Sequence, residues 1–280
     1  MSRLRSLSDR VRNHFRRALP QRLFFLHVPK CGGTSVDNAI ASLYRTLDWR
    51  RDNGVVSLDS TASIRVVTTL EGTHYPDDTT DDYPILRVRE HILLYFLAQR
   101  NVRYLSGHFA FSEAAYRDHG TIFAFVTVLR DPVSRFKSSY YYNRYKSGTH
   151  IRVQLEWPEY LDSFFGQSQG YEYVKFLGGP RVDRNYTSAQ AIAQAKANVE
   201  RFALVGFLEN LSLFTKEFER RFGVPLHIPR ENPTPAPKTA YRQPLDTDLE
   251  RKIAKLCEPD IEVYQHALRF WTNGSERAAS

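Results

Sequence analysis

Apolar residues in this chain fall alternately into short continuous runs and into stripes at helical spacing, a rhythm that predicts strands and helices in turn. Residues 22–28, RLFFLHV, form a run of strand length. After the turn segment PKCGGTS the period changes: Val36, Ala39, Ile40, Leu43 and Tyr44 share one helical face, able to lie back on that strand. Residues 48–84 are polar, with turn signals at 52–54, 75–78 and 81–84, but IRVVTTL at 64–70 reads as a second strand. Leu86 to Arg100 has a helical pattern, RYLSGHF at 103–109 reads as a third strand, and IFAFVTVL at 122–129 as a fourth. The fourth run is apolar almost throughout, as a strand buried on both faces must be.

Asp131 as a cap, Pro132 at the first helical position and the stripe Val133, Phe136, Tyr140 and Tyr141 predict the next helix. Residues 187–201 read as a further helix, FALVGFL at 202–208 as a fifth strand, and 211–223 as a helix stopped by Gly223. Four prolines before Tyr241 make residues 227–244 an extended connection. Thr247 and Glu250 have the spacing of a capping box for a final helical region through Trp271, broken near Pro259. The βα alternation predicts a three-layer α/β/α fold on a central parallel sheet of about five strands, with ligands at the carboxyl ends of the strands. The expected division is a basic helix or tail over 1–20, one domain over 21–272, and a tail over 273–280.

Composition narrows this picture only a little. In 280 residues, 42% hydrophobic and 25% charged, there is enough apolar material for one substantial core. Lys and Arg outnumber Asp and Glu by 39 to 31, a formal charge of +8, which suits an anionic partner or simply a solubilising surface. The two cysteines, Cys31 and Cys257, form neither a disulfide framework nor a metal-ligand spacing. No stretch approaches the roughly 20 apolar residues of a membrane span, and the N-terminal segment lacks the apolar core of a secretion signal. A cytoplasmic location is therefore expected. Within residues 3–19, Leu4, Leu7, Val11, Phe15 and Leu19 recur among six arginines, the pattern of a helix packed on the domain or resting on the inner membrane face.

The chemistry concentrates where the first strand meets its helix. Lys30, Cys31, Gly32, Gly33, Thr34 and Ser35 follow His27-Val28-Pro29, the arrangement in which backbone N–H groups and a helix dipole receive a phosphate. The glycines let the backbone approach, Thr34 and Ser35 add hydroxyl donors, and Lys30 adds a full charge. The lysine precedes the glycines, so this is not the nucleoside-triphosphatase pattern G-x-x-x-x-G-K-[ST]. The fourth strand ends in Leu129-Arg130 rather than in an acidic magnesium ligand, and an arginine there repels a metal and attracts a phosphate. No metal is expected.

These segments resemble a known family. HVPKCGGTS is similar to the 5′-phosphosulfate loop of sulfotransferases that use 3′-phosphoadenosine 5′-phosphosulfate, and VLRDPVSRFKSSYYY to their 3′-phosphate segment. The resemblance extends to the group that includes heparan sulfate 2-O-sulfotransferase: YLSGHFAF matches its catalytic-histidine segment, AKANVERFALVGFLENL its following helix and strand, and IEVYQHAL its C-terminal helix. It covers most of residues 22–271 and implies a P-loop-like fold. Two departures stand out. The membrane span that precedes the domain in the animal enzymes is absent here, and a second histidine, two residues before the catalytic one, is Ser106.

The resemblance implies sulfuryl transfer from 3′-phosphoadenosine 5′-phosphosulfate to a hydroxyl of a carbohydrate or another acceptor. An anionic acceptor is compatible with the charge, and no nucleic-acid partner is expected. It assigns His108 as general base and Lys30 as the charge beside the leaving 5′-phosphate, with the rest of the loop from Cys31 to Ser35 binding the donor. Arg130 and Ser138 would hold the 3′-phosphate, and Lys238, Thr239 and Arg242 would belong to a basic loop closing over the nucleotide. Read from residue type alone, each has a plainer explanation: a turn histidine, a surface lysine, an arginine paired with Asp131, a helix serine. Asp37, one turn into the helix, is a rival base already explained by the helix dipole. A magnesium-dependent phosphoryl transferase and a non-catalytic polyanion-binding module remain the rival readings.

Overall fold

The computed structural model describes residues 19–44, 54–72, 82–147, 152–229, 236–237 and 245–277. Five strands, β1 (Arg22–Leu26), β2 (Val55–Ser57), β3 (Tyr104–Gly107), β4 (Phe123–Leu129) and β5 (Leu204–Phe207), form one sheet in the order β2-β3-β1-β4-β5. Every pairing is parallel. Parallel neighbours need crossovers, so helices cover both faces and the fold is the three-layer α/β/α arrangement expected. The chain passes from one side of β1 to the other between β3 and β4, which opens a crevice at the carboxyl end of β1.

Side-chain alternation along β1 splits the core in two. Phe24 and Leu26 face one way, packing with Leu105 and Phe125 under α3 (Tyr83–Leu97), α8 (Glu172–Gly178), α9 (Ala189–Glu200) and α12 (Glu258–Arg277). Leu23 and Phe25 face the other way, with Val126 and Leu204, under α1 (Gly33–Ser42) and α10 (Leu211–Phe222). A third cluster lies off the sheet. There Phe136, Tyr140 and Tyr141 of α5 (Pro132–Tyr145) meet Trp157 and Tyr160 of α6 (Trp157–Asp162) and Ile253 of α11 (Thr247–Leu256), with the Tyr140 and Trp157 rings stacked 3.7 Å apart. Among the described residues the remaining α-helices are α2 (Ser60–Glu71), α4 (Glu113–His119) and α7 (Phe164–Ser168).

Residues 64–70 are the main correction. They lie in helix α2 rather than in a strand, opened by Asp59, whose carboxylate accepts from the Ala62 N–H at 2.9 Å. Ile64 and Val67 are buried against Ile85, a spacing of three that only a helix produces, while Val66 and Leu70 are exposed. Burial and capping thus override the β propensity of a β-branched run. The second strand is the three-residue Val55–Ser57, inside the stretch that looked merely polar. The capping box at Thr247 also fails to form. Asp246 takes the cap position without a side-chain bond, and the Glu250 carboxylate is drawn instead to Lys137 at 2.7 Å. The final helical region is broken between Leu256 and Glu258, as expected, and runs on to Arg277.

Asp131 caps α5 by accepting from the Ser134 N–H at 2.8 Å. The basic segment before Leu19 lies outside the described residues. Among the described residues no helix is long and apolar enough to cross a membrane.

Candidate active site

Sheet order places three strand ends side by side: β1 leads into the glycine loop, β3 on one flank ends just before His108, and β4 on the other ends just before Arg130. The loop is built by backbone conformation. Lys30 and Gly32 both have positive φ, 64° and 72°, so the chain turns sharply twice before α1 begins. Gly33 lies so close to the His27 ring that a Cβ there would be 2.2 Å from the imidazole carbon. The cap position of α1 is Gly32, which has no side chain to bond the first N–H groups of the helix at the carboxyl end of β1. The cost of a side chain at Gly33 gives a first test. Gly33→Ala is expected to destabilise the protein by about 1–3 kcal/mol through overpacking, read as a lower thermal midpoint.

Cations gather around this loop. The Lys30 ammonium lies 3.4 Å from the centre of the exposed Tyr142 ring, and the Lys146 ammonium approaches the same ring at 5.7 Å. The Arg130 guanidinium reaches the Lys30 carbonyl at 3.5 Å. Burial, then the charges of Arg130 and Lys146, bring the Lys30 pKa down to about 8. Among the described residues neither Lys30 nor Arg130 forms an ion pair with a carboxylate. Like charges crowded without a counter-ion are what an anionic ligand would relieve.

His108 sits across the loop, its ring 4.6 Å from that of His27. Its Nδ1 lies 2.6 Å from the His27 carbonyl oxygen, and since a carbonyl only accepts, Nδ1 carries the proton. That leaves the lone pair on Nε2. Burial is the largest influence on both imidazoles: it lowers His108 below the ordinary histidine value, and with the nearby His108 and Lys30 it takes His27 down to about 3. His108 is therefore neutral at pH 7, in the tautomer a general base requires.

A model of the sulfotransferase family matches residues 13–267. The chain belongs to the sulfotransferase family. No curated protein sequence matches it. As a sulfotransferase, it is an enzyme of sulfuryl transfer, and the P-loop-like fold seen here is the one the motifs implied.

Of the residues singled out in the sequence of this sulfotransferase, Lys30 to Ser35, His108 and Arg130 lie at adjoining strand ends. Ser138 is buried two turns into α5, and its hydroxyl makes no hydrogen bond among the described residues. Lys238, Thr239 and Arg242 lie outside the described residues. Asp37 is engaged elsewhere, its carboxylate accepting from the Tyr104 hydroxyl at 2.7 Å.

Several supporting groups gave no signal in the sequence. Buried Arg89 of α3 donates to the His108 carbonyl at 3.1 Å and to Ser63 at 3.1 Å, holding the His108 segment from behind. Tyr173 of α8 reaches both the loop and Arg130. Beneath them, fully buried Arg135 and Asp260 stand 3.9 Å apart, and Lys175 pairs with Glu172 at 2.9 Å and with Asp82 at 2.6 Å. Burial pushes the Asp260 carboxyl up to about 7 despite Arg135 beside it. Such charges are identifiable only once the helices that carry them are packed together.

Proposed function

We propose that this sulfotransferase moves the sulfuryl group from 3′-phosphoadenosine 5′-phosphosulfate to a hydroxyl of a carbohydrate acceptor, with His108 as general base. The observation that carries the reading is the juxtaposition at the carboxyl ends of β3, β1 and β4. There a tautomer-fixed imidazole, a glycine loop opening a helix and two cations without acidic partners among the described residues come together. The crowded cations and the uncapped helix suit the phosphates of the donor. In this reading Lys30 and the opening turn of α1 hold the 5′-phosphosulfate, while Arg130 and the Ser138 hydroxyl hold the 3′-phosphate. Lys238, Thr239 and Arg242 are assigned to closure over the nucleotide.

The acceptor hydroxyl gives its proton to Nε2 of His108 as its oxygen bonds to sulfur. The bond between sulfur and the 5′-phosphate oxygen breaks, and its electron pair stays on that oxygen, leaving adenosine 3′,5′-bisphosphate. Lys30 acts where this charge develops, so its contribution grows toward the transition state. The carbohydrate acceptor rests on the resemblance to the heparan sulfate 2-O-sulfotransferase group and on the Lys146 ammonium beside the exposed Tyr142 ring.

Calorimetry without metal tests the donor site. Wild-type protein is expected to prefer adenosine 3′,5′-bisphosphate to adenosine 5′-monophosphate and to Mg-ATP, and Arg130→Ala to weaken bisphosphate binding about 10–100-fold, the worth of a charge-assisted contact. Tighter binding of Mg-ATP would move the phosphoryl-transfer reading ahead. An unmoved affinity in Arg130→Ala would remove Arg130 from the site.

A further inference from the structure

The last residue of β4 bonded into the sheet is Leu129, paired with Phe207, and the chain then turns away into α5. The backbone groups of Arg130 therefore leave the ladder and need other partners. Both find them on one atom. The Tyr173 hydroxyl accepts from the Arg130 N–H at 2.9 Å and donates to the Arg130 carbonyl. The same oxygen lies 3.3 Å from the Cys31 sulfur, in the glycine loop. A phenol has one proton, so with that proton on the Arg130 carbonyl the oxygen can only accept from the thiol, whose sulfur also lies 3.6 Å from the Pro29 carbonyl.

The hydroxyl is held rigidly. Tyr173 is fully buried, its ring stacked on Tyr264 at 6.5 Å. Its backbone N–H and that of Val174 both donate to one oxygen of buried Asp260, at 2.8 and 3.1 Å, and the Arg135 guanidinium lies 5.8 Å from its ring centre. Glu209 supports the next residue from outside: its carboxylate accepts from the Asp131 N–H at 2.9 Å and from the Tyr264 hydroxyl at 3.1 Å. One phenol oxygen thus fixes the start of Arg130 relative to the loop that carries Lys30.

We propose that Tyr173 is a positioning residue that sets the separation of the two phosphate subsites, and so determines how strongly this sulfotransferase prefers a 3′,5′-bisphosphorylated nucleotide to a 5′-monophosphate. The inference rests on the donor reading given above. It assigns Tyr173 no contact with the nucleotide. Its effect passes through Arg130, and removing its hydroxyl lets the guanidinium drift from the 3′-phosphate while the 5′ loop keeps its other supports.

The test is calorimetry of full-length wild type, Tyr173→Phe, Arg130→Ala and the double variant with adenosine 3′,5′-bisphosphate and adenosine 5′-monophosphate, alongside circular dichroism and thermal melts. Tyr173→Phe is expected to reduce the preference for the bisphosphate about fivefold or more, with monophosphate affinity held within about twofold. In the Arg130→Ala background it should change bisphosphate binding less than about twofold, because coupled residues do not act additively. Equal losses for both ligands, an unchanged preference, or additive effects in the double variant would overturn the proposal. A wild type with no preference for the bisphosphate would instead sink the donor reading, and the inference with it. If Tyr173→Phe does not fold, exposed Glu209→Ala decides: a reduced preference for the bisphosphate supports positioning of the β4 exit, and an unaltered one overturns it.

Discussion

His108→Ala is expected to lower kcat by about 10²–10⁴-fold, the usual worth of a positioned general base, while adenosine 3′,5′-bisphosphate binds within about twofold of wild type. The imidazole meets the carbonyl and the ring of His27, ahead of the glycine loop, so its loss should remove the proposed proton acceptor and leave the loop backbone in place. The sign of the pH dependence follows from the surroundings. Burial lowers the His108 pKa below its ordinary 6.5, so the neutral, active form persists below pH 6.5 and the acid limb of kcat/KM falls at lower pH than for a free imidazole. In His108→Ala that limb should disappear. A variant that retains both wild-type kcat and the acid limb would remove His108 from the chemistry.

Lys30→Ala should lower kcat/KM for the donor by about 10²–10³-fold, comparable to losing one donor aimed at developing charge. Here the pH argument runs the other way. Lys30 is useful only when protonated, and its pKa in the free enzyme is about 8, lowered first by burial and then by Arg130 and Lys146. Donor capture should therefore decline as pH rises through about 8, and the alkaline limb of kcat, which reports the complex, should lie higher because a bound anion favours the ammonium.

Backbone strain provides a separate control. Lys30 occupies positive φ, 64°, where glycine is at ease and other residues are not. Lys30→Gly should be more thermostable than Lys30→Ala yet equally impaired, because the missing charge and not the turn limits catalysis. Recovery of activity in Lys30→Gly would show that the loop backbone alone suffices.

Much of this architecture was legible in one dimension because local rules decide it. The nearly continuous apolar runs at 22–28 and 122–129 became β1 and β4 inside the sheet, where both faces are buried, and the runs at 103–109 and 202–208 became β3 and the edge strand β5. Asp131-Pro132 capped α5, because that pairing needs only a neighbouring amide. The glycine loop was legible for the same reason: Gly32 and Gly33 are required by a positive φ and by the close His27 ring, both within a few residues.

Residues 64–70 failed the same reading. Their β-branched composition favours a strand, and only the packing of Ile64 and Val67 on Ile85 made them a helix, leaving the edge strand to three residues after Gly54.

By itself, then, the sequence determined the alternating α/β order, the phosphate-type loop and the family, because each depends on residues that are neighbours along the chain. Tertiary structure alone decided which strand ends adjoin. It brought His108 beside His27 across 81 positions, and set Tyr173 between Cys31 and Arg130 from 142 and 43 positions away. Those contacts depend on the order β2-β3-β1-β4-β5 and on helices packed over it, and a hydrogen bond between distant residues leaves no periodic trace in either segment.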